Sequence, residues 1–518
     1  MCAMQRRDWL KSVAVGGLAA TGFGVPRLAR ADDATTPAPV DIGDRLELFV
    51  DQGLIERLSG EASRRLHHPT PAEVVLQHDQ PWEGSGSGYH SVFQDGDRYR
   101  MYYKAWDLQA SQGRVATNRH PLYCCHAESQ DGIHWEKPDL GLVEFDGNKH
   151  NNIVLDSVNL DGAEIDAGHP AVFKDDNPAA AADSRYKAIV RSRKPKGLYV
   201  LGSPDGLHWR PLAKQPVITE GAFDSQNLAF WDPTIGKYRA YWRIFSNGIR
   251  AIRTATSDDC IQWDPHVDLT YVDSPAEHLY TNQVKPYYRA PHLLIGFPTR
   301  YVDRGWSDSM RELPELEHRE LRASAVGRYG TAITEGLLMA SRDGQRFERW
   351  NEAFLRPGIE RPGTWHYGHQ YIAWHVVETA ASMPGAPPEL SLYASESYWT
   401  APGSDLRRYT MRLDGFVSIH ASMRGGELLT KPLLFSGNEL RLNFASSAAG
   451  GIRVELQDLQ GQPLPGFSLA DCQEVFGDSI DRPVTWKDAS NLNQHVGSPV
   501  RLRFAIKDAD LYAFQFGK

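Results

Sequence analysis

From Tyr89 onward the chain is a succession of short runs in which apolar and polar residues alternate, cut by turns rich in Gly, Asp and Asn. A period of two predicts half-buried β-strands. The clearest unit lies between Phe223 and Trp263. Phe223-Asp-Ser-Gln-Asn-Leu-Ala-Phe230 predicts an inner strand, and Asp232-Pro-Thr-Ile-Gly236 supplies a turn. Lys237-Tyr-Arg-Ala-Tyr-Trp-Arg243 alternates polar and aromatic residues, Ser246-Asn-Gly248 turns again, and Ile249–Thr256 predicts a third strand. A tight turn at Ser257-Asp-Asp-Cys260 then leads to a short outer strand carrying Trp263. Four antiparallel strands in this space make one blade of a β-propeller.

The outer turn repeats. Ser129-Gln-Asp-Gly-Ile-His-Trp135, Ser203-Pro-Asp-Gly-Leu-His-Trp209, Ser257-Asp-Asp-Cys-Ile-Gln-Trp263 and Ser341-Arg-Asp-Gly-Gln-Arg-Phe347 share the pattern S-x-D-G-x-x-W/F, at Asp-to-Asp spacings of 74, 54 and 84 residues. The Asp can accept from backbone N–H groups, Gly permits positive φ, and the aromatic can pack between blades. Further inner strands are expected at Tyr89–Gln94, His169–Lys174, Leu279–Val284 and Tyr367–Val376. Their second strands are expected at Tyr99–Lys104, Tyr186–Arg191, His292–Arg300 and Leu390–Ala394. That makes five blades, with a charged surface helix inserted at Ser307–Arg322. The apolar segment Leu46–Ile55 is a candidate to complete the ring. After Gly425-Gly426, alternation at Leu440–Phe444, Ile452–Leu456, Val500–Ile506 and Leu511–Phe516 predicts a small antiparallel β-sandwich. The expected organisation is therefore all-β: an export signal at 1–31, a linker at 32–40, a five-bladed propeller at 41–424 and a C-terminal β-sandwich at 425–518.

Gly 45, Pro 32 and Trp 14 in 518 residues suit a turn-rich β protein. A net charge of −9 argues against a nucleic-acid partner. Gln5-Arg-Arg-Asp-Trp-Leu-Lys11, the mild apolar run Ser12–Val25 and Ala29-Arg-Ala31 match a twin-arginine export signal with its cleavage site, which predicts a periplasmic or secreted bacterial protein. The apolar run is too short to span a membrane. Cys124, Cys125, Cys260 and Cys472 lack metal-ligand spacing and are read as small buried hydrophobes.

Glu47-Leu-Phe-Val-Asp51, Pro81-Trp-Glu-Gly84, Asp224-Ser-Gln-Asn227, Tyr280-Thr-Asn282 and Leu413-Asp-Gly-Phe-Val417 stand within this architecture. With it they give a chain that resembles the five-bladed propeller superfamily of glycoside hydrolases, invertase/fructanase and arabinanase/xylosidase-like, and within it exported bacterial members. The resemblance implies cleavage of O-glycosyl bonds by carboxylates in a central pocket. The superfamily's first-blade Asp is absent from Pro81-Trp-Glu-Gly84, and the invertase R-D-P and E-C signatures are missing, which argues against sucrose or fructan as substrate.

Inner strands converge on a propeller axis, so polar residues at their starts are candidates for one pocket. On this reading Asp166, Asp224 and Glu277 are the catalytic candidates, with Asp224 as base or nucleophile and Glu277 as general acid. Glu83, His169, Asn227, Arg243, Asn282, Arg300, His366 and His369 are the substrate-binding candidates. Lys104, Arg191, Arg243 and Arg300 close four second strands and could ring the pocket. An anionic sugar, uronic or sulfated, would then be the substrate. Trp82, Trp306 and Trp365 are candidate sugar platforms. No cofactor is implied, and a structural calcium stays open. The alternatives are a noncatalytic sugar-binding propeller and a polysaccharide lyase.

Overall fold

The computed structural model describes residues 38–117, 119–157, 159–160, 163–400, 403–487 and 491–517. The expected export signal and all but the end of the linker lie outside them. From Pro39 onward the described chain packs as one unit.

Five sheets succeed one another as blades. Blade one runs Gly88–Asp95, Arg98–Ala105, Tyr123–Ser129 and Trp135–Glu136 from inside outward. Blade two is built on Ala163–Lys174, Tyr186–Ser192, Gly197–Ser203 and Arg210–Pro211. Blade three follows with Leu228–Asp232, Lys237–Ser246, Ile249–Ser257 and Val267–Asp268. Blade four uses Lys285–Tyr287, Ala290–Gly296, Met339–Ser341 and Arg346–Arg349. Blade five uses Val377–Thr379, Glu389–Glu396 and Asp405–Arg412, and its outer strand is Thr70–Gln77, from the other end of the chain.

The ring is thus closed by Thr70–Gln77 pairing with Asp405–Arg412, not by Leu46–Ile55. That earlier segment goes elsewhere. Glu47–Leu48 pairs with Arg501–Gly517, and Ile55–Gly60 pairs with Gly426–Thr430. Ser63–Leu66 pairs with Val417–Ala421. Glu47 and Asp51 fix this segment to blade four through Arg342, at 3.0 and 2.7 Å. Buried Glu47 is held down at about 2 despite desolvation, chiefly by His292 and Arg342. The C-terminal strands predicted separately are continuous: Glu439–Gln457 and Arg501–Gly517 pair along their length with register breaks. They enclose an apolar core that includes Leu428, Leu442, Val454, Phe504 and Phe514, consistent with the expected β-sandwich.

The repeated turn behaves as its residues dictate. In the first copy Asp131 Oδ1 accepts from the N–H groups of Ile133 and His134, both at 2.8 Å, and Ser129 Oγ accepts from Gly132 N at 2.9 Å. Asp205, Asp259 and Asp343 repeat this pattern. The third copy places Cys260 at φ 65, where the others have Gly. The turn aromatic packs edge-on against a tyrosine of the preceding blade: Trp135 on Tyr393, Trp209 on Tyr102 and Phe347 on Tyr241. Tyr393 and Tyr241 also donate to the carbonyls of Gly132 and Gly344, at 2.5 and 2.8 Å. The repeat therefore sets blade-to-blade spacing. Cys124, Cys125, Cys260 and Cys472 are buried and unpaired.

Three inner strands begin later in the chain than expected, blade three at Leu228 rather than Phe223 and the next two later still. Blade four begins at Lys285 and blade five at Val377, so 279–284 and 367–376 are loops toward the axis. Thr299–Asp303 leaves the second strand of blade four to form a hairpin with Ala332–Gly336. Between them lie three helices, Asp308–Glu312, Leu316–Ala325 and Arg328–Thr331. Ser307 caps the first, its hydroxyl accepting from Met310 N at 3.2 Å.

Candidate functional site

Two buried glutamines close the axis. Gln226 Nε2 lies 2.9 Å from Tyr89 O, 3.1 Å from Ser91 Oγ and 2.9 Å from Pro170 O. Gln283 Nε2 donates to Gln226 Oε1 at 2.8 Å and to Ile372 O at 3.0 Å. One amide pair thus ties together all five blades, since buried amides must find partners. Tyr89, which accepts from this plug through its carbonyl, has its ring in the wall of a cavity of about 880 Å³.

Acidic and basic side chains meet in that cavity. Asp166, from blade two, is buried and pairs with Arg191 and with His169 Nδ1 at 3.1 Å. Asp224, ahead of blade three, takes Arg191 Nη1 at 2.7 Å and His169 Nε2 at 3.3 Å, yet keeps 67% of its side chain exposed. Hydrogen bonding from His169, then the charges of His169, Arg191 and Arg243, hold the Asp224 carboxyl far below the usual range against partial burial. Burial raises Asp166, but His169 and Arg191 outweigh it and keep that carboxyl ionised as well.

Lys104 stands in the same wall, 3% exposed. Its ammonium lies 4.7 Å from the Tyr89 ring, 4.5 Å from Trp106 and 5.2 Å from Tyr398, and it donates to Tyr398 Oη at 2.9 Å. Burial brings Lys104 down to about 7, against the pull of Asp224 and Asp166. The aromatic wall continues through Tyr280, Tyr329, Tyr367 and Trp399. Tyr367 Oη donates to Tyr280 Oη at 2.8 Å.

The cavity therefore gathers Asp166, His169 and Asp224 among the expected residues, and Lys104 and Arg191 from the expected ring of cations. Arg243 lines an adjoining hollow instead. The others lie elsewhere. Glu277 pairs with Arg300 at 3.2 Å and with buried Arg349 at 2.9 Å, and lines neither the cavity nor the hollow. Arg300 is further tied to Glu335 at 2.6 Å. Their displacement follows from the late start of blade four: Leu279 bridges to Arg300 and draws this stretch to the outer hairpin.

Glu83 is buried under Tyr103 Oη at 2.6 Å and Lys137 Nζ at 2.7 Å, fixing the first-blade loop. Asn227 caps its own loop by donating to Phe223 O and Ser225 O, and Asn282 Oδ1 accepts from Val284 N at 3.3 Å. His366 meets Glu315 of the helical insertion at 2.8 Å and is lowered to about 4 by burial. His369 Nδ1 accepts from Trp365 N at 2.9 Å, and burial lowers it to about 3. Both are held neutral beneath the insertion.

Trp82, Trp306 and Trp365 lie outside the cavity wall, where Trp106 and Trp399 stand. These two and Tyr398 follow the ends of second strands, where only charged residues were sought. Among the described residues no group of three or more His, Cys, Asp or Glu could hold a metal ion, and no helix is long and apolar enough to cross a membrane.

No family model matches the sequence. Two Mycobacterium tuberculosis proteins, the uncharacterized proteins MT1551 and Rv1502, are each 32% identical over 159 residues, which is 30% of this chain. The matched stretch spans 44% of the length of these curated relatives. Among solved structures, the chain is similar to the catalytic domain of a Coprinopsis cinerea GH62 α-L-arabinofuranosidase (9% identity, 67% of this chain and 97% of that one, TM-score 0.41). It is similar to a Bacillus subtilis family 43 arabinoxylan arabinofuranohydrolase in complex with cellotetraose (10% identity, 87% and 99%, TM-score 0.29). It is also similar to an N-acetylgalactosamine deacetylase from F. plautii (12% identity, 68% and 95%, TM-score 0.39).

Proposed function

We propose that this protein is an exported glycoside hydrolase that cleaves an acidic oligo- or polysaccharide in the cavity above the glutamine plug. The observation that carries this reading is the convergence of Asp166, His169, Arg191, Asp224 and Lys104, from blades one to three, on one aromatic-walled cavity of about 880 Å³. Such a wall suits the faces of sugar rings, and the cations suit an acidic substituent. Export rests on the twin-arginine pattern around Arg6 and Arg7.

Glycoside cleavage needs an anion facing an oxocarbenium-like transition state and a proton for the leaving oxygen. Asp224 supplies the first. It is ionised and largely open to the cavity, and it either attacks the anomeric carbon or takes the proton of an attacking water. Asp166, buried behind Arg191 and His169, positions both. Glu277 stands outside the cavity, so we assign the proton donor to Lys104, whose ammonium passes its proton to the departing oxygen and regains one from solvent.

One observation favours a second reading. An amine that titrates near neutrality can also act as a base. Neutral Lys104 could remove the proton beside a uronate carboxylate held by Arg191, and the glycosidic oxygen would leave in an elimination. Incubation of the purified protein with neutral, uronic and sulfated oligosaccharides separates the two. New reducing ends without ultraviolet absorbance from an unsaturated uronate mark hydrolysis, and both signals together mark elimination. Sugar bound but uncut across the panel would contradict both.

A further inference from the structure

Most arginines elsewhere in this protein are matched to carboxylates, the buried Arg319 and Arg322 of the helical insertion being exceptions. Arg342 meets Glu47 and Asp51, Arg408 meets Glu73 and Glu389, and Arg239 meets Asp232. The hollow beside the cavity departs from this. It measures about 530 Å³ and shares Arg191, Arg193, Asp224, Tyr280 and Arg328 with the cavity. Arg243, Arg250 and Arg328 also line it, and none of the three forms an ion pair with a carboxylate among the described residues.

Aromatic faces hold them in place of carboxylates. Arg243 lies 5.0 Å from the Tyr280 ring, and its Nε donates to Ala222 O at 2.9 Å. Arg250 sits against Tyr301 at 4.6 Å and Tyr280 at 5.1 Å. Its Nη1 lies 3.4 Å from His278 Nδ1, and its buried Nε has no partner. Arg328, from the helical insertion, lies over Tyr329 at 4.6 Å and Tyr367 at 5.6 Å and hydrogen-bonds the Tyr301 and Tyr367 side chains, while its buried Nη1 has no partner. Burying guanidinium nitrogens without acceptors and crowding like charges both cost free energy, unless a ligand supplies the acceptors and the countercharge. At the rim Phe245 is 54% exposed, with Arg243 at 5.8 Å and Arg250 at 5.6 Å. An exposed ring flanked by guanidinium groups offers a seat for a sugar and for an anion attached to it.

We propose that this hollow is a second subsite, in which Arg243, Arg250 and Arg328 bind a tetrahedral oxyanion, a sulfate or phosphate ester, on the sugar next to the cleaved bond. Three guanidinium groups present more donors than the two oxygens of a carboxylate can accept, whereas an ester of sulfate or phosphate offers three terminal oxygens. Phe245 stacks the sugar that carries it. The position of this sugar relative to the cleaved bond rests on the cleavage reading above; the anion chemistry does not.

The test is calorimetric titration of the full chain with four matched oligosaccharides: unsubstituted, uronic, sulfated and phosphorylated. Wild type is expected to prefer one ester over the unsubstituted and uronic sugars by roughly a hundredfold. Arg250→Met and Arg328→Met should each reduce that preference to within about threefold. Arg250→Lys, which keeps the charge and loses the fork, should fall between. Whichever ester is preferred identifies the anion. Equal binding of the uronic sugar by wild type, or a preference that survives both methionine substitutions, overturns the proposal. The outcomes separate it from the cleavage reading. An ester bound tightly and never cut contradicts cleavage and leaves the subsite, whereas cleavage with no ester preference does the reverse.

Discussion

Asp224 and Glu277 hold similar places in the chain, each in a loop leading into the inner strand of its blade, yet the fold uses them differently. Asp224 lies four residues ahead of Leu228, where the strand of blade three begins, and opens into the cavity. Glu277 lies eight residues ahead of Lys285, where the strand of blade four begins, and the intervening loop turns it toward the hairpin behind the blade. Asp224 keeps most of its surface exposed while its partners share it with whatever enters. Glu277 neutralises Arg349, whose side chain is 1% exposed. Where such a carboxylate ends up is therefore set by the loop between it and its strand, short for Asp224 and long for Glu277.

Substitution is the sharpest way to break this comparison. Asp224→Asn is expected to lower kcat/KM on the cleaved saccharide by roughly a thousandfold or more, with some loss of stability because Arg191 and His169 lose the anion they share. Lys104→Met should cost about 10²- to 10⁴-fold, the range of a lost proton donor. It should also abolish the pH limb near 7, along which wild-type hydrolysis falls as pH rises and Lys104 loses its proton. A limb that instead rises through about 7 would mark Lys104 as a base and favour elimination.

Glu277→Gln should leave kcat/KM within about twofold but lower the unfolding free energy by about 1–3 kcal/mol, since buried Arg349 loses its charged partner. Gln226→Leu should cost a similar ~1–3 kcal/mol by stranding the carbonyls of Tyr89 and Pro170 and leaving Gln283 Nε2 with only Ile372 O as acceptor. A further effect concerns stability against pH. Lys104 is lowered from 10.5 to about 7 on folding, so between those values the unfolded chain holds a proton that the folded chain has released. The unfolding free energy of wild type should thus gain relative to Lys104→Met as pH rises through that window and lose that gain below it, as denaturant titrations of the pair would show.

The blades were legible because their signal is local. Ser, Asp and Gly bond within a single turn, and the aromatic three residues after the Gly needs only the preceding blade to pack against. Ring closure was not legible in the same way, because Thr70–Gln77 pairs with Asp405–Arg412 across more than three hundred residues, and no local pattern records such a partner. The candidate site was partly legible. Asp166, Asp224, His169 and Arg191 fall where a converging inner strand, or the end of a second strand, places them. Glu277 and Arg300 were misplaced by the shift of blade four. The tyrosine wall went unseen because apolar residues at strand starts look like core, and only the shared cavity separates Tyr280 and Tyr367 from Tyr102 or Tyr241.

The most direct test follows release of new reducing ends from the panel of acidic oligosaccharides by wild type, Asp224→Asn and Glu277→Gln side by side, with folding checked by thermal melts. The account predicts cleavage by wild type, near-complete loss in Asp224→Asn and near-wild-type rates in Glu277→Gln on a less stable protein. Full activity in Asp224→Asn, or loss of activity in a well-folded Glu277→Gln, would contradict it.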